Sequence, residues 1–151
     1  ILEQLLFDKH TLPGFNDSGA HLINMAFFDG NLMTLKIAQP RGPAKVADAV
    51  KRLTSAPAAF FGLDTGTIEI GRQADITLVD PEALAAYDSD AHRQKVYRDF
   101  LREEQIVNRS DGVVDGVYIA GVRVWNRDHF LPALGQQKLG RALRYAGRAE
   151  A

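Results

Sequence analysis

Gly66-Thr-Ile-Glu-Ile-Gly71-Arg-Gln-Ala-Asp75-Ile-Thr-Leu-Val-Asp80 is the stretch on which the reading of the fold turns. Before Gly66 the apolar residues recur at helical spacing, and after it the period shortens to that of a strand. Thr67 to Ile70 and Ile76 to Val79 are two β-rich runs divided by Gly71-Arg72-Gln73-Ala74. Ile68, Ile70, Ile76 and Leu78 are the alternating inward candidates, so the spacing predicts a hairpin or two adjacent strands. The glycines lack the spacing of a phosphate-cradling loop or a dinucleotide fingerprint, and the stretch reads as strand and turn chemistry.

On the N-terminal side, Val46, Ala49, Val50 and Leu53 recur on one helical face after a Pro40-Arg-Gly-Pro43 break. An earlier helix fits Asn31 to Ala38, with Asn31 as cap, Leu32 and Leu35 on one face, and Pro40 enforcing the stop. Thr54 or Ser55 can cap a further short helix that has Pro57 in its first turn and ends at Gly62. Phe7 to Phe15 includes a short strand. On the C-terminal side, Val113 to Ile119 and Val122 to Trp125 form a second β pair joined at Ala120-Gly121, where glycine admits the positive φ of a hairpin turn. Between the pairs, residues 81–112 are polar and charged. Ala91 to Leu101 reads as a helix, since His92, Val96 and Phe100 share a face. Leu134, Leu139 and Leu143 mark an amphipathic helix ending near Gly147. No repeat, low-complexity tract or linker interrupts the chain.

A chain of 151 residues suits one ordinary domain, and 46% hydrophobic with 25% charged residues is the balance of a globular protein. The net charge of -1 provides no field to draw nucleic acid or an anionic membrane, and the basic run Lys138 to Arg148 reads as a solvated helix face. With no cysteine, disulfides, thiolate metal sites and a cysteine nucleophile are excluded. Any metal would need His, Asp or Glu. No apolar run approaches the roughly 20 residues that span a bilayer, and the start lacks a signal core, so the default location is cytoplasmic.

Chemistry concentrates in Leu12-Pro-Gly-Phe-Asn-Asp17-Ser-Gly-Ala-His21. Gly14 and Gly19 let the backbone bend around Asp17, whose carboxylate can coordinate a hard metal or take a proton from water. An Asx turn that merely satisfies nearby N–H groups explains the same residues. His21 can contact substrate or metal, or pack as an ordinary histidine beside Leu22 and Ile23. Asn24, Asp29 and Asn31 are near enough to line the same pocket, and capping accounts for them equally. His10, His92 and His129 are scattered, with no His-x-His or His-Glu-x-x-His pair, so the chain holds no complete metal site. Asp88, Asp90, Asp99, Glu103 and Glu104 read as a solvated acidic face. Ser18 and Ser55 lack a nucleophile elbow.

Three segments together resemble one family. Gly14-Phe-Asn-Asp17-Ser-Gly-Ala-His21 resembles the final catalytic motif of the amidohydrolase superfamily, particularly the N-acyl-D-amino-acid deacylases (D-aminoacylases). Ala49 to Leu63 followed by Gly66 to Asp80 resembles the same superfamily's C-terminal passage, and Val117-Tyr-Ile-Ala-Gly121-Val-Arg-Val its closing strand pair. The resemblance covers most of the chain apart from about residues 81–112.

The family implies a mixed α/β architecture. The chain would be the C-terminal fragment of a metal-dependent hydrolase (β/α)8 barrel, contributing its last strand and closing helices together with strands of a small composite β-sandwich. Residues 1–63 would hold the last barrel strand, the catalytic turn and the closing helices. Residues 64–151 would hold the sandwich strands, the inserted segment 81–112 and a C-terminal helix. Asp17 would be the general base and a metal contact, His21 and Asn24 would contact substrate, and zinc would be the cofactor. The expected substrate is an N-acyl amino acid and the expected partner the missing N-terminal barrel portion. Nucleic acid and membrane are not expected partners, and self-association through uncovered apolar surface is expected. The departures are specific. The family's His-x-His pair and middle-strand ligands are absent, such a barrel takes about 250 residues, and Asn16 stands where serine is common. The isolated chain is therefore expected to be inactive. The alternatives are a non-catalytic structural or oligomerisation module, and a cyclic-amide hydrolase resembling hydantoinases and dihydropyrimidinases.

Overall fold

Among the described residues the regular structure before Gly62 is mostly helical and that after Asp75 mostly strand. The computed structural model describes residues 1–13, 24–25, 29–108 and 112–146. The chain opens with the helix α1 (Leu2–Leu6); of the stretch Phe7 to Phe15 expected to include a strand, residues 7–13 form none and the rest lies outside the described residues. After the two-residue strand β1 (Asn24–Met25) comes α2 (Gly30–Ala38). It starts one residue ahead of the expected cap. Asp29 takes the N-cap position, its carbonyl accepting from the Met33 N–H at 2.9 Å, and Asn31 lies inside the first turn.

A single 3-10 turn (Gln39–Arg41) absorbs Pro40, and Pro43 opens α3 (Pro43–Leu53) at a position where a missing N–H costs nothing. α2 packs on α3, and each contributes a fully buried alanine, Ala38 and Ala49. The last helix of this group, α4 (Ser55–Phe61), ends as expected on Gly62 in the left-handed conformation. The expected hydroxyl cap is not made: Thr54 turns its Oγ1 back to donate to the Val50 carbonyl at 2.7 Å.

The pairing foreseen around Gly71 is replaced by another. Residues 67–70 form no strand, and Ile68 and Ile70, expected inward, are fully exposed. Gly66 and Gly71, with φ of +86° and +87°, turn the backbone at both ends of the short run, which leaves it no register to extend. β2 (Ile76–Val79) instead runs antiparallel to β5 (Val114–Ile119), with Ile76 opposite Tyr118 and Thr77 opposite Val117. A bulge between Leu78 and Val79 breaks the alternation and leaves Leu78 exposed. β5 turns at Ala120-Gly121, both at positive φ, into β6 (Val122–Asn126), as the sequence indicates. β7 (His129–Phe130) completes a sheet of order β2-β5-β6-β7.

The segment read as a helix over 91–101 is a hairpin. β3 (Arg93–Arg98) and β4 (Glu103–Asn108) pair antiparallel, with Arg98 opposite Glu103, and Arg102 at φ 56° closes the turn. Val96, Tyr97, Ile106 and Val107 have strong β preference, and an exposed diagonal pair, Lys95 to Glu104 at 3.6 Å, adds a cross-strand contact. The acidic residues Asp88, Asp90, Asp99, Glu103 and Glu104 are all exposed. β4 also pairs in parallel with β1, aligning Asn24 with Ile106 and Met25 with Val107.

α5 (Pro81–Ala86) follows β2, capped by the Asp80 carboxylate, which accepts from the N–H groups of Glu82 and Ala83 at 2.9 and 3.1 Å. Leu84, Tyr87 and Val113 form the buried core, with Leu32, Met33, Leu35, Val79 and Ala83 packed around it. Lys36 on α2 secures the joint by donating to the Leu84, Ala85 and Tyr87 carbonyls at the end of α5. The expected C-terminal helix reduces to a four-residue turn, Ala133–Gln136, in which Leu134 and Gly135 leave helical conformation, and residues 137–146 form no helix. Among the described residues no helix is long and apolar enough to cross a membrane.

Candidate functional site

Asp17 and His21 lie outside the described residues. Asn24 is placed by its backbone alone, in β1 beside Ile106. What the structure shows is how the two flanks of the Asp17 segment are held, and both attachments are polar.

Upstream, Arg52 projects from α3 into the chain that leaves α1. Its Nη2 donates to the Phe7 carbonyl at 2.8 Å, and its Nη1 to the carbonyls of Asp8 at 2.9 Å and Thr11 at 3.2 Å. Nε donates to Asp48 Oδ1 at 3.1 Å. The planar five-donor guanidinium is the side chain suited to such a fan of acceptors. Burial opposes ionisation of Asp48, but hydrogen bonds and charge from Lys45 and Arg52 prevail and hold its carboxyl below the ordinary value. Lys45 also stands over the Phe7 ring, 3.5 Å from its centroid, so the same helix grips this segment twice.

Downstream, Asp29 stands at the head of α2, and its carboxylate caps nothing there. It is buried and turned toward β4 and the end of α5. The Tyr87 hydroxyl lies 2.7 Å from Asp29 Oδ2 and 2.7 Å from Asn108 Oδ1, its proton serving these two acceptors. Asn108 Nδ2 donates to Asp29 Oδ2 at 3.2 Å and to the Ser89 carbonyl and hydroxyl at 3.0 Å each. Burial pushes the Tyr87 phenol well above its usual range, and the Asp29 carboxylate adds to the shift, so the phenol stays a neutral donor. His92 packs its ring against Tyr87 at 4.8 Å between centroids.

Asp29 stands at the N-cap position that the sequence allows it, but its carboxylate does not cap the helix and instead joins a buried polar node with Tyr87 and Asn108; the pocket it was expected to line lies outside the described residues. Tyr87, Ser89, Asn108 and Arg52 were not singled out. Their partners lie 58 and 79 residues away for Tyr87 and Asn108 with Asp29, and more than 40 for Arg52 with Asp8 and Thr11. The local signal is the charged stripe Lys45, Asp48 and Arg52 along one face of α3.

The described histidines do not converge. His10 pairs with Asp8 at 3.3 Å, His129 with Asp128 at 2.6 Å, and His92 Nδ1 sits 2.7 Å from the Asp88 carbonyl. Among the described residues no group of three or more His, Asp or Glu could hold a metal ion, so this part of the chain does not fit a metal centre by itself. An open groove of about 570 Å³ lies between α4 and the residue 64–72 loop. Its cation, Arg72, is paired with Asp64 and Glu69.

The model of the amidohydrolase family matches residues 15–124. Uncharacterised proteins of Mycobacterium bovis and Mycobacterium tuberculosis are each 35% identical over 135 residues, which is 85% of this chain and 22% of theirs. A dihydroorotase of Syntrophotalea carbinolica is 40% identical over 63 residues, 42% of this chain and 15% of that protein. The chain thus spans less than a quarter of the length of the curated relatives it matches. No solved structure matches it.

Proposed function

The chain belongs to the amidohydrolase family, and on that footing we propose that the protein carrying it hydrolyses an amide C–N bond, with Asp17 as general base. The observation that carries this reading is the family match over residues 15–124, which takes in Asp17 and His21 and continues through the β5–β6 turn. Asp17 takes a proton from the attacking water and delivers it to the departing amine, a role open to a carboxylate and closed to an amide. His21 and Asn24 contact the substrate. The chain forms the C-terminal part of the catalytic barrel and of a β-sandwich beside it, and the remaining catalytic groups come from the rest of the protein. Zinc is the cofactor of that protein, and Asp17 is the contact this chain lends it.

For the substrate, the motif Gly14 to His21 supports an N-acyl-D-amino acid. The similarity to a dihydroorotase favours a second reading, the opening of a cyclic amide. A panel of N-acyl-D-amino acids, hydantoins and dihydropyrimidines offered to the full-length protein separates the two. Asp17→Asn in that protein is expected to lower kcat by about 10²–10⁴-fold with the fold kept, the span ascribed to a positioned acid–base group. Near-normal kcat refutes the assignment of Asp17.

A further inference from the structure

We propose that Asp29–Gly30 is a latent backbone-isomerisation site, kept closed by the hydrogen bonds that Tyr87 and Asn108 make to the Asp29 carboxylate. An aspartic acid followed by glycine can react with its own main chain. The glycine amide nitrogen attacks the side-chain carboxyl carbon, a C–N bond forms, and the acid's hydroxyl leaves with the amide proton as water. The resulting succinimide takes water back at either of its carbonyls. One opening restores aspartate; the other gives isoaspartate, in which the chain continues through the side-chain carbon and the main-chain carboxyl is left free. Glycine favours the reaction because it has no Cβ to shield the nitrogen or to restrict the backbone.

The sequence contains three such dipeptides, Asp29–Gly30, Asp111–Gly112 and Asp115–Gly116. Asp111 lies outside the described residues. Asp115–Gly116 is locked within β5, which is paired by β2 on one side and β6 on the other, and a Cβ at Gly116 would meet the Arg123 guanidinium at 3.2 Å. Gly30 is exposed instead, its φ is not left-handed, and a Cβ there would meet nothing within 4 Å, so neither packing nor backbone conformation requires glycine at that place. What restrains the pair is on the Asp29 side. The Tyr87 hydroxyl and Asn108 Nδ2 draw Asp29 Oδ2 into the buried node, at 2.7 and 3.2 Å. With Asp29 ψ at 9°, the Gly30 nitrogen nearly eclipses the nitrogen of Asp29, whereas ring closure needs it to eclipse Cβ. Rotation to that geometry would pull the Asp29 carbonyl from the Met33 N–H, and it would strain the bond by which Thr34 Oγ1 donates to the Gly30 carbonyl, each 2.9 Å long. Those two bonds belong to the first turn of α2, and helix ends fray. The node adds a restraint from outside the helix, anchored at the end of α5 and in β4. Isomerisation would insert an extra atom into the main chain at the start of α2, so each opening of the node that ends in reaction is recorded covalently.

The test incubates the full-length protein, its Tyr87→Phe variant and a short unstructured peptide carrying Asp29–Gly30 side by side at neutral pH. Peptide mapping with electron-transfer fragmentation then separates isoaspartate from aspartate at residue 29. The parent is expected to accumulate isoaspartate about 10–10³-fold more slowly than the peptide, the inverse of the roughly 0.1–10% population of a minor conformer. Tyr87→Phe keeps the ring and loses the hydroxyl, and should react about 10–100-fold faster than the parent, the ratio set by one lost hydrogen bond to a charged group. Adding Gly30→Ala, for which the structure has room, should return the double variant to the parent's rate or below. Accumulation in the parent at the peptide's rate, a Tyr87→Phe rate equal to the parent's, or a double variant as fast as Tyr87→Phe overturns the proposal. Amide exchange over β5 and β6 reads whether each variant keeps the fold. Should Tyr87→Phe lose it, Asn108→Ala, which removes the other donor to Asp29, takes its place, and the parent against the peptide decides on its own whether the site is held closed.

Discussion

Replacing Gly66 by alanine, beside the same change at Gly71, separates two costs that usually arrive together. Both glycines have nearly the same backbone, φ +86° and +87°, so the penalty for placing a Cβ in that conformation is common to the pair. It is about 1–2 kcal/mol, partly offset by about 0.4–1 kcal/mol because alanine leaves the unfolded chain fewer states. At Gly71 nothing lies within 4 Å of the new Cβ, so Gly71→Ala should cost about 1 kcal/mol in total. At Gly66 the Cβ would stand 2.8 Å from the Thr54 carbonyl oxygen, 2.9 Å from its carbon and 3.1 Å from Ser55 Cα. These are backbone atoms at the junction of α3 and α4, and they cannot rotate away as a side chain would. Forcing them apart adds about 1–3 kcal/mol, the usual range for overpacking. Urea denaturation reads the difference directly. With a slope of about 2 kcal/mol per molar, the Gly66→Ala midpoint should fall about 0.5–1.5 M below that of Gly71→Ala. Coincident midpoints would refute the close approach of the residue 66 backbone to the helix junction.

Two further outcomes follow from charge and from exposed apolar surface. Asp75 is held below its ordinary value by the Ala120 N–H and then by Gln73, and Asp80 chiefly by the Ala83 N–H, with Glu82 and Arg127 assisting. A carboxyl depressed in the folded state contributes stability that is complete above its unfolded value of about 3.9 and is lost as pH falls through the folded one, so stability should hold from neutral pH to about 5 and drop below about 4. Asp75→Asn should shrink the loss between pH 7 and pH 3 in denaturation curves, and an unchanged loss would remove Asp75 from the account. Phe60 and Phe61 stack edge to face on α4 while each stays more than half exposed, and Ile68 and Ile70 are exposed nearby in sequence. The isolated 151-residue chain should therefore self-associate, and a monomer in light scattering at all concentrations would contradict this.

Local signals carried those elements whose cause is local. Gly62 closing α4 and the Ala120-Gly121 turn each depend on a backbone preference of one or two residues, and both stand where the sequence indicates, whereas the Pro40–Pro43 break is shorter than expected, Pro40 lying in a 3-10 turn and Pro43 already in α3. The β3–β4 hairpin is illegible because its residues fit a helical face as well as an alternating strand, and what favours the strand is the pairing of β4 on both edges, with β3 and with the distant β1. Ile68 and Ile70 alternate like strand residues, yet a strand needs a neighbour, and β5 took β2 instead. At the candidate site the limit was distance along the chain. Asp29 stood out by its neighbours in sequence, but its partners come from the ends of α5 and β4, and no local pattern announces a phenol that arrives 58 residues later.

The parallel register of β1 with β4 also sets a schedule for the molecule's birth. Asn24 pairs beside Ile106, 82 positions further along the chain. At the roughly 5–20 residues per second of synthesis, Asn24 and Met25 wait about 4–16 s before the strand they pair with has been made. The helices α2 to α4, built on near neighbours, have time to assemble first. The β1–β4 pairing therefore has to wait for β4, and a chain cut short before Ile106 would lack the strand with which Asn24 and Met25 pair.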